Sequence, residues 1–215
     1  MSGRGPFCRA RRKDTVMNRH CLLVFGAALL FAPGLASAGG VSPQEFVERT
    51  VAEGMALLSD TEQGHQEAAF RAFLDRNFAM RSIARFAIGR HWREASPAQQ
   101  EAYERLFEEM IVRRYTAQFT DYQGQDVRVA GSQPVGRRDA LVASVVTQPG
   151  GQPDVSVDWR VREGGEAWRV VDVVVEGVSM AMTYRADFDS VVQRGGIPGL
   201  LEALAAQAED GEGKP

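Results

Sequence analysis

Hydrophobic residues recur at helical spacing through the first half of this chain and at alternate positions through the second. Ser42-Pro43-Gln44-Glu45 forms a capping box with proline at the first helical position, and Phe46, Val47, Thr50, Val51, Met55 and Leu58 then fall on one face, predicting a helix from Pro43 to about Leu58. A second helix, roughly Gln66 to Arg76, presents Phe70, Phe73 and Leu74. A third carries Phe78, Ile83, Phe86 and Ala87 and ends at Gly89, which reads as its C-terminal cap. Ser96-Pro97-Ala98-Gln99 repeats the start signal, and Tyr103, Leu106, Phe107, Met110, Ile111 and Phe119 keep the period, so the longest helix is predicted over Pro97 to Tyr122.

From Gln125 the period falls to two. Val155, Val157, Trp159 and Val161 alternate with Ser156, Asp158, Arg160 and Arg162, giving a strand with one dry and one wet face. Gly150-Gly151 and Gly164-Gly165 read as hairpin turns in an antiparallel meander of about four strands, over 126–135, 139–148, 154–162 and 166–176. Two short closing helices follow, Thr183 to Gln193 and Pro198 to Gln207, separated by Gly195-Gly196. Helices followed by a meander with one amphipathic face predict an α+β fold: N-terminal helices packed on a curved antiparallel sheet, with closing C-terminal helices, around an apolar interior. Periodicity does not decide whether that interior is filled by side chains or left open.

The N-terminus has a different character. Arg19 and His20 precede an apolar run from Cys21 to Leu35, and Ala36-Ser37-Ala38 supplies the small residues of a signal-peptidase site, so residues 1–38 read as an upstream extension before Met17 followed by a cleaved signal peptide. The run is too short to span a bilayer. Cleavage near Ala38 would leave 19 basic and 27 acidic residues, a net charge of −8, in one domain over 39–208 with a disordered acidic tail over 209–215. Such a charge argues against nucleic-acid binding and permanent membrane residence. Both cysteines, Cys8 and Cys21, would depart with the signal, leaving an exported domain that must rely on its core.

Candidate chemistry is sparse. His65 and His91 lie on different predicted elements without metal-ligand spacing, and the chain has no nucleophile elbow or phosphate loop. Asp158, Asp172 and Glu176 could supply acid/base groups, although their setting favours structural roles. Arg113, Arg114, Arg137, Arg138 and Arg185 are candidates for acidic partners or phosphate, although the reading of each as an ordinary solvated or structural arginine is the stronger one.

The densest apolar stretch, Trp168 to Arg185, reads WRVVDVVVEGVSMAMTYR. Its D-V-x-x-E-G-V-S core followed by Tyr184-Arg185 resembles the C-terminal strand and turn of the MlaC family of periplasmic phospholipid-binding proteins, also known as toluene-tolerance auxiliary proteins. The resemblance continues through G-x-x-W-R at Gly89 to Arg93, Ser96 and Gln99 opening a helix, Phe107 and Tyr115 within it, Phe188, and Gly199-Leu200. The upstream extension has no counterpart in that pattern, and Met180 and Met182 stand where leucine or another apolar type is expected. The resemblance implies a non-enzymatic periplasmic carrier, without cofactor, that takes phospholipid between the membranes as cargo, acyl chains inside and head group toward solvent. It further implies a monomer that contacts membranes transiently. The implied partners are an ATP-driven inner-membrane complex with a ring-shaped lipid-binding subunit and an outer-membrane MlaA–porin complex, and the implied role is to maintain outer-membrane lipid asymmetry.

On this reading the cavity is lined by Val157, Trp159, Val171, Val173 and Val175 from the last two strands, Val178 and Met180 from the turn, Tyr184 and Phe188 from the closing helix, and Phe107 and Ile111 from the long helix. Both faces of strand 166–176 are rich in valine, so a one-residue slip would exchange Val171, Val173 and Val175 for Val170 and Val174. Two other classes stay open. One is a small cone-shaped α+β enzyme acting on an apolar substrate with Asp172 or Glu176 as base. The other is a lipid-free adaptor that binds envelope proteins through an apolar groove.

Overall fold

Both serine-opened helices start with the hydrogen bonds that a capping box can make. In the computed structural model, which describes residues 40–59, 65–117, 119, 122–165 and 167–209, the Ser42 hydroxyl accepts from Glu45 N at 3.2 Å while the Glu45 carboxylate accepts from Ser42 N at 2.9 Å. Ser96 and Gln99 repeat the arrangement at 3.3 and 2.9 Å. Helix α1 spans Pro43–Ser59, α2 Gln66–Asn77, α3 Met80–Ile88 and α4 Pro97–Thr116, with a 3-10 turn Gly89–Arg93 ahead of α4. The leader expected over 1–38 lies outside the described residues.

Gly89 ends α3 with φ of 62°, a conformation that favours glycine, and a Cβ there would meet the Arg185 guanidinium at 3.2–3.4 Å and need it to shift. Helix α4 stops at Thr116, short of the Tyr122 predicted. The Thr116 hydroxyl donates to the Val112 carbonyl at 2.7 Å in the last turn, and beyond the helix Phe119 packs edge-on against Phe70 with ring centres 5.3 Å apart.

The sheet is antiparallel in sequence order, with β1 Asp126–Val135, β2 Asp139–Thr147, β3 Val155–Gly164, β4 Ala167–Val175 and a two-residue β5 Val178–Ser179. The fifth strand was not expected. It arises from a two-residue turn in which Glu176 and Gly177 both have positive φ, 49° and 77°, as the tightest hairpins require. Glu176 is held in that conformation by Ser156: its N–H donates to the Ser156 carbonyl at 2.9 Å, and its carboxylate accepts from Ser156 N at 2.5 Å. Beside this turn the outer edge of β4 is covered by Phe78 and Ala79, where Ala79 N donates to the Val170 carbonyl at 2.9 Å.

Two bulges bend the sheet. Register shifts between Val129 and Gly131 on β1, and β3 residues Arg160 and Val161 face Asp172 and Val170, leaving Val171 as an extra residue on β4. The inward row therefore changes parity along β4. Val170 is fully buried before the bulge, while Val173 and Val175 pair with Trp159 and Val157 after it.

Helix α5, Met180–Glu209, starts three residues before the predicted Thr183 because β4 caps it. The Asp172 carboxylate accepts from Ala181 N at 3.0 Å and from the Ser179 hydroxyl at 2.5 Å, and Ser179 Oγ accepts from Met182 N at 3.1 Å. The predicted interruption falls at Gly196, which is non-helical with φ of 64°. Of the tail expected over 209–215, Glu209 ends α5 and the remainder lies outside the described residues.

Two apolar clusters hold these elements together. One joins α2, α3, α4 and α5 through Phe73, Ile88, Tyr103, Phe107, Met110, Leu200 and Leu204. The other seats Val47 of α1 on Ala140, Val142, Val161 and Val170 of the sheet. Buried polar groups link α1 to α2: the Thr50 hydroxyl donates to the Phe46 carbonyl at 2.9 Å and lies 3.3 Å from Asn77 Oδ1, while Asn77 Nδ2 donates to Glu53 at 2.8 Å. Helices thus cover the inward face of the sheet while Arg160 and Arg162 on its outer face stay exposed.

Candidate lipid cavity

The two clusters do not close on each other. Between them lies a cavity of about 580 Å³, within the range of sites that enclose small ligands. Its floor is the sheet, through Val127, Trp159, Val170, Val173 and Val175. One wall is α1, through Val51, Gly54, Met55 and Leu58, and another is formed by Phe70, Phe73 and Leu74 of α2. Phe78, Met80 and Ile83, then Phe107 and Ile111 of α4, and Met180, Ala181 and Tyr184 of α5 complete the enclosure.

Several of the polar groups in the wall are committed elsewhere. Trp159 turns its indole N–H to Ser144 Oγ at 3.0 Å, and that hydroxyl donates to the Val157 carbonyl at 2.7 Å. Thr50 bonds within α1, and Asp172 caps α5 as described above. Burial first, and then neighbouring Tyr115, raise the proton affinity of Tyr184 so that it stays a neutral phenol. A wall of this kind presents mainly hydrocarbon and aromatic faces to its contents, and no buried side-chain acceptor among the described residues is left unpaired.

Of the residues predicted for the cavity, the structure brings seven together in its wall: Phe107, Ile111, Trp159, Val173, Val175, Met180 and Tyr184. Four stand elsewhere, and each departure has a local cause. Val171 is the bulge residue, so it drops out of the inward row and Val170 takes its place. Val178 is 54% exposed because it sits beside the Glu176-Gly177 turn on the two-residue edge strand β5. Phe188 packs into the helical core, edge-on to Tyr103 and Phe107 with ring centres 6.1 Å apart. Val157 lies buried on the inward row of β3 but outside the cavity wall.

The sequence reading missed the contribution of α1 and α2. The spacing of Val51, Met55 and Leu58 was visible as a helical face, but an apolar face reads alike whether it meets a partner or a cavity. Neither carboxylate considered as a base stands ready for proton transfer, since Asp172 caps α5 and Glu176 is tied to Ser156. His91 is also engaged, with Nδ1 2.9 Å from Glu94 and Nε2 2.8 Å from Asp189. Glu94 first, and then Asp189, raise its proton affinity. No cluster of three or more His, Cys, Asp or Glu that could hold a metal occurs among the described residues.

Comparison with known proteins gives this geometry a lineage. A solved phospholipid-binding protein from Ralstonia solanacearum, in complex with a phospholipid, is similar in fold, with a TM-score of 0.70 over 81% of this chain and 100% of that chain at 23% sequence identity. The intermembrane phospholipid transport system binding protein MlaC of Haemophilus influenzae is 23% identical over 124 residues, 56% of this chain and 58% of the relative. Toluene tolerance protein ttg2D of Pseudomonas putida is 25% identical over 104 residues, 48% of each chain. The chain therefore spans about half the length of the curated relatives it matches. The family described as MlaC protein matches over residues 48–206, which takes in every wall of the cavity, and the chain belongs to the MlaC family.

Proposed function

We propose that this chain is a periplasmic phospholipid carrier: a single lipid-binding domain over 39–208, exported by cleavage near Ala38, that holds acyl chains in the cavity between helices and sheet. The observation that carries this reading is the cavity itself, open at about 580 Å³ and walled almost wholly by hydrocarbon and aromatic side chains. Two acyl chains with about 30 methylenes would cost on the order of 20 kcal/mol to expose to water, a barrier that a dry protein interior removes. Because bilayer and cavity are both apolar, loading and release can be nearly balanced. Such a cycle needs no covalent step and no cofactor, the lipid being cargo.

The family and the names of its relatives support carriage between the two membranes. On this reading lipid is exchanged with an ATP-driven inner-membrane complex through its ring-shaped lipid-binding subunit, and with the outer-membrane MlaA–porin complex, maintaining outer-membrane asymmetry. The protein would act as a monomer with transient membrane contact, and no helix among the described residues is long and apolar enough to cross a membrane. The test is native mass spectrometry of protein taken from a periplasmic extract without detergent, with Val173→Asp as control. Wild type should carry masses of diacyl phospholipid, and the variant should be empty with an unchanged circular dichroism spectrum. A wild type that stays empty when offered phospholipid vesicles would refute the proposal, as would undiminished lipid in the variant.

A further inference from the structure

The arginines near the cavity are not equivalent. Arg71 forks to Glu108 and Glu109 at 2.8 and 2.7 Å, Arg85 meets Glu104 at 3.2 Å, and Arg113 meets Glu109 at 3.0 Å. Arg114, one residue on, makes no ion pair with any described residue. It lines the cavity, and among the described lining residues it alone is exposed, which places it where the cavity meets solvent. Its guanidinium carbon stands 6.0 Å from the centre of the Tyr184 ring.

A cation in the last turn of a helix is often explained by the helix dipole. That account suits Arg113, whose carboxylate partner lies one turn back on the same helix. It does not explain why Arg114 lies over a ring that also walls the cavity. Beside it, Tyr115 also lines the cavity and is near enough to Tyr184 to help raise that phenol's proton affinity. A guanidinium and two phenol side chains therefore stand together where, among the described residues, a largely apolar wall is exposed. Asp172, the only carboxylate among the described lining residues, is committed to capping α5.

We propose that Arg114, with the Tyr115 and Tyr184 hydroxyls, holds the phosphate ester of a lipid whose acyl chains fill the cavity. This rests on the carrier reading above and adds to it a head-group site. A guanidinium suits a phosphate ester because its planar fork donates two parallel hydrogen bonds to phosphate oxygens. Depth would then be set by chemistry at both ends, with tails fitting the apolar wall and phosphate stopping at Arg114. A diacylglycerol has the same tails and ester groups but no phosphate for Arg114 to hold.

The experiment exchanges the full chain, without detergent, against vesicles containing dioleoyl phosphatidylglycerol or dioleoylglycerol, and reads retained lipid by native mass spectrometry. Wild type, Arg114→Gln and Arg114→Lys are compared, and inorganic phosphate is added as a competitor. The expected result is about tenfold lower retention of phosphatidylglycerol by Arg114→Gln, with dioleoylglycerol unchanged and partial recovery in Arg114→Lys. Inorganic phosphate should not displace the lipid, since it has no tails to bury. Equal retention of phosphatidylglycerol by wild type and Arg114→Gln, or equal loss of both lipids, overturns the head-group site while leaving the carrier reading standing. Displacement by inorganic phosphate alone overturns it in favour of a free-anion site. A wild type that takes up neither lipid overturns the carrier reading and this site together.

Discussion

Gly54 offers a way to separate stability from capacity. It lies inside α1 and lines the cavity, and a Cβ built on it would sit 3.6 Å from Phe73 Cζ and 3.9 Å from Cε2, an ordinary contact. Gly54→Ala therefore removes the helix penalty of glycine, about 1 kcal/mol, and buries one methyl group without strain. For a domain of this size the unfolding temperature should rise by roughly 2–4 °C per kcal/mol. Gly54→Leu keeps the helix gain but sends three further carbons past the Phe73 ring into the cavity. If each displaces about one lipid methylene at about 0.8 kcal/mol, retention should fall by roughly 2–3 kcal/mol, on the order of a hundredfold. Thermal unfolding of lipid-stripped protein and native mass spectrometry of reloaded protein measure the two effects separately. Undiminished phospholipid in a folded Gly54→Leu variant would refute the placement of acyl chains in this cavity, and a lower unfolding temperature for Gly54→Ala would refute the helix argument.

Two further predictions concern pH. The Asp139 carboxylate accepts from Arg162 at 2.7 and 2.9 Å and from Arg160 at 2.9 Å, and Arg162 first holds its pKa down to about 2 from 3.8. The resulting stability is complete above 3.8 and is lost as pH falls toward 2; the guanidinium groups are half-exposed, so Asp139→Asn should cost about 1–2 kcal/mol at about pH 7. Urea unfolding should show that difference shrinking at about pH 3, and a pH-independent difference would contradict the ion-pair account. His91 has the opposite sign: its proton affinity is raised from 6.5, so its contribution is fully present below 6.5 and fades as pH rises through the higher folded value. NMR titration should place the ring above 6.5, and His91→Gln should remove this part of the pH dependence of stability, whereas a ring titrating below 6.5 would exclude the Glu94–His91–Asp189 clamp.

What was legible in the sequence is what neighbouring residues settle among themselves. Ser42 and Ser96 open helices because a serine followed three residues later by Glu or Gln satisfies the first N–H groups locally, and the alternation from Val155 to Val161 declares one dry face for β3. Strand β4 shows the limit, because its valines occupy both faces and give no local ground for choosing one. Pairing with β3 decides, and it inserts Val171 as a bulge that brings both Val170 and Val173 inward. Likewise Phe188 and Tyr184 differ by one helical turn in sequence, yet one fills the helical core and the other walls the cavity. That the interior stays open depends on how far α1 and α2 stand from the sheet, which is a balance of contacts distant along the chain. Apolar periodicity marks a face to be kept from water, and only the tertiary arrangement decides whether side chains or a ligand will cover it.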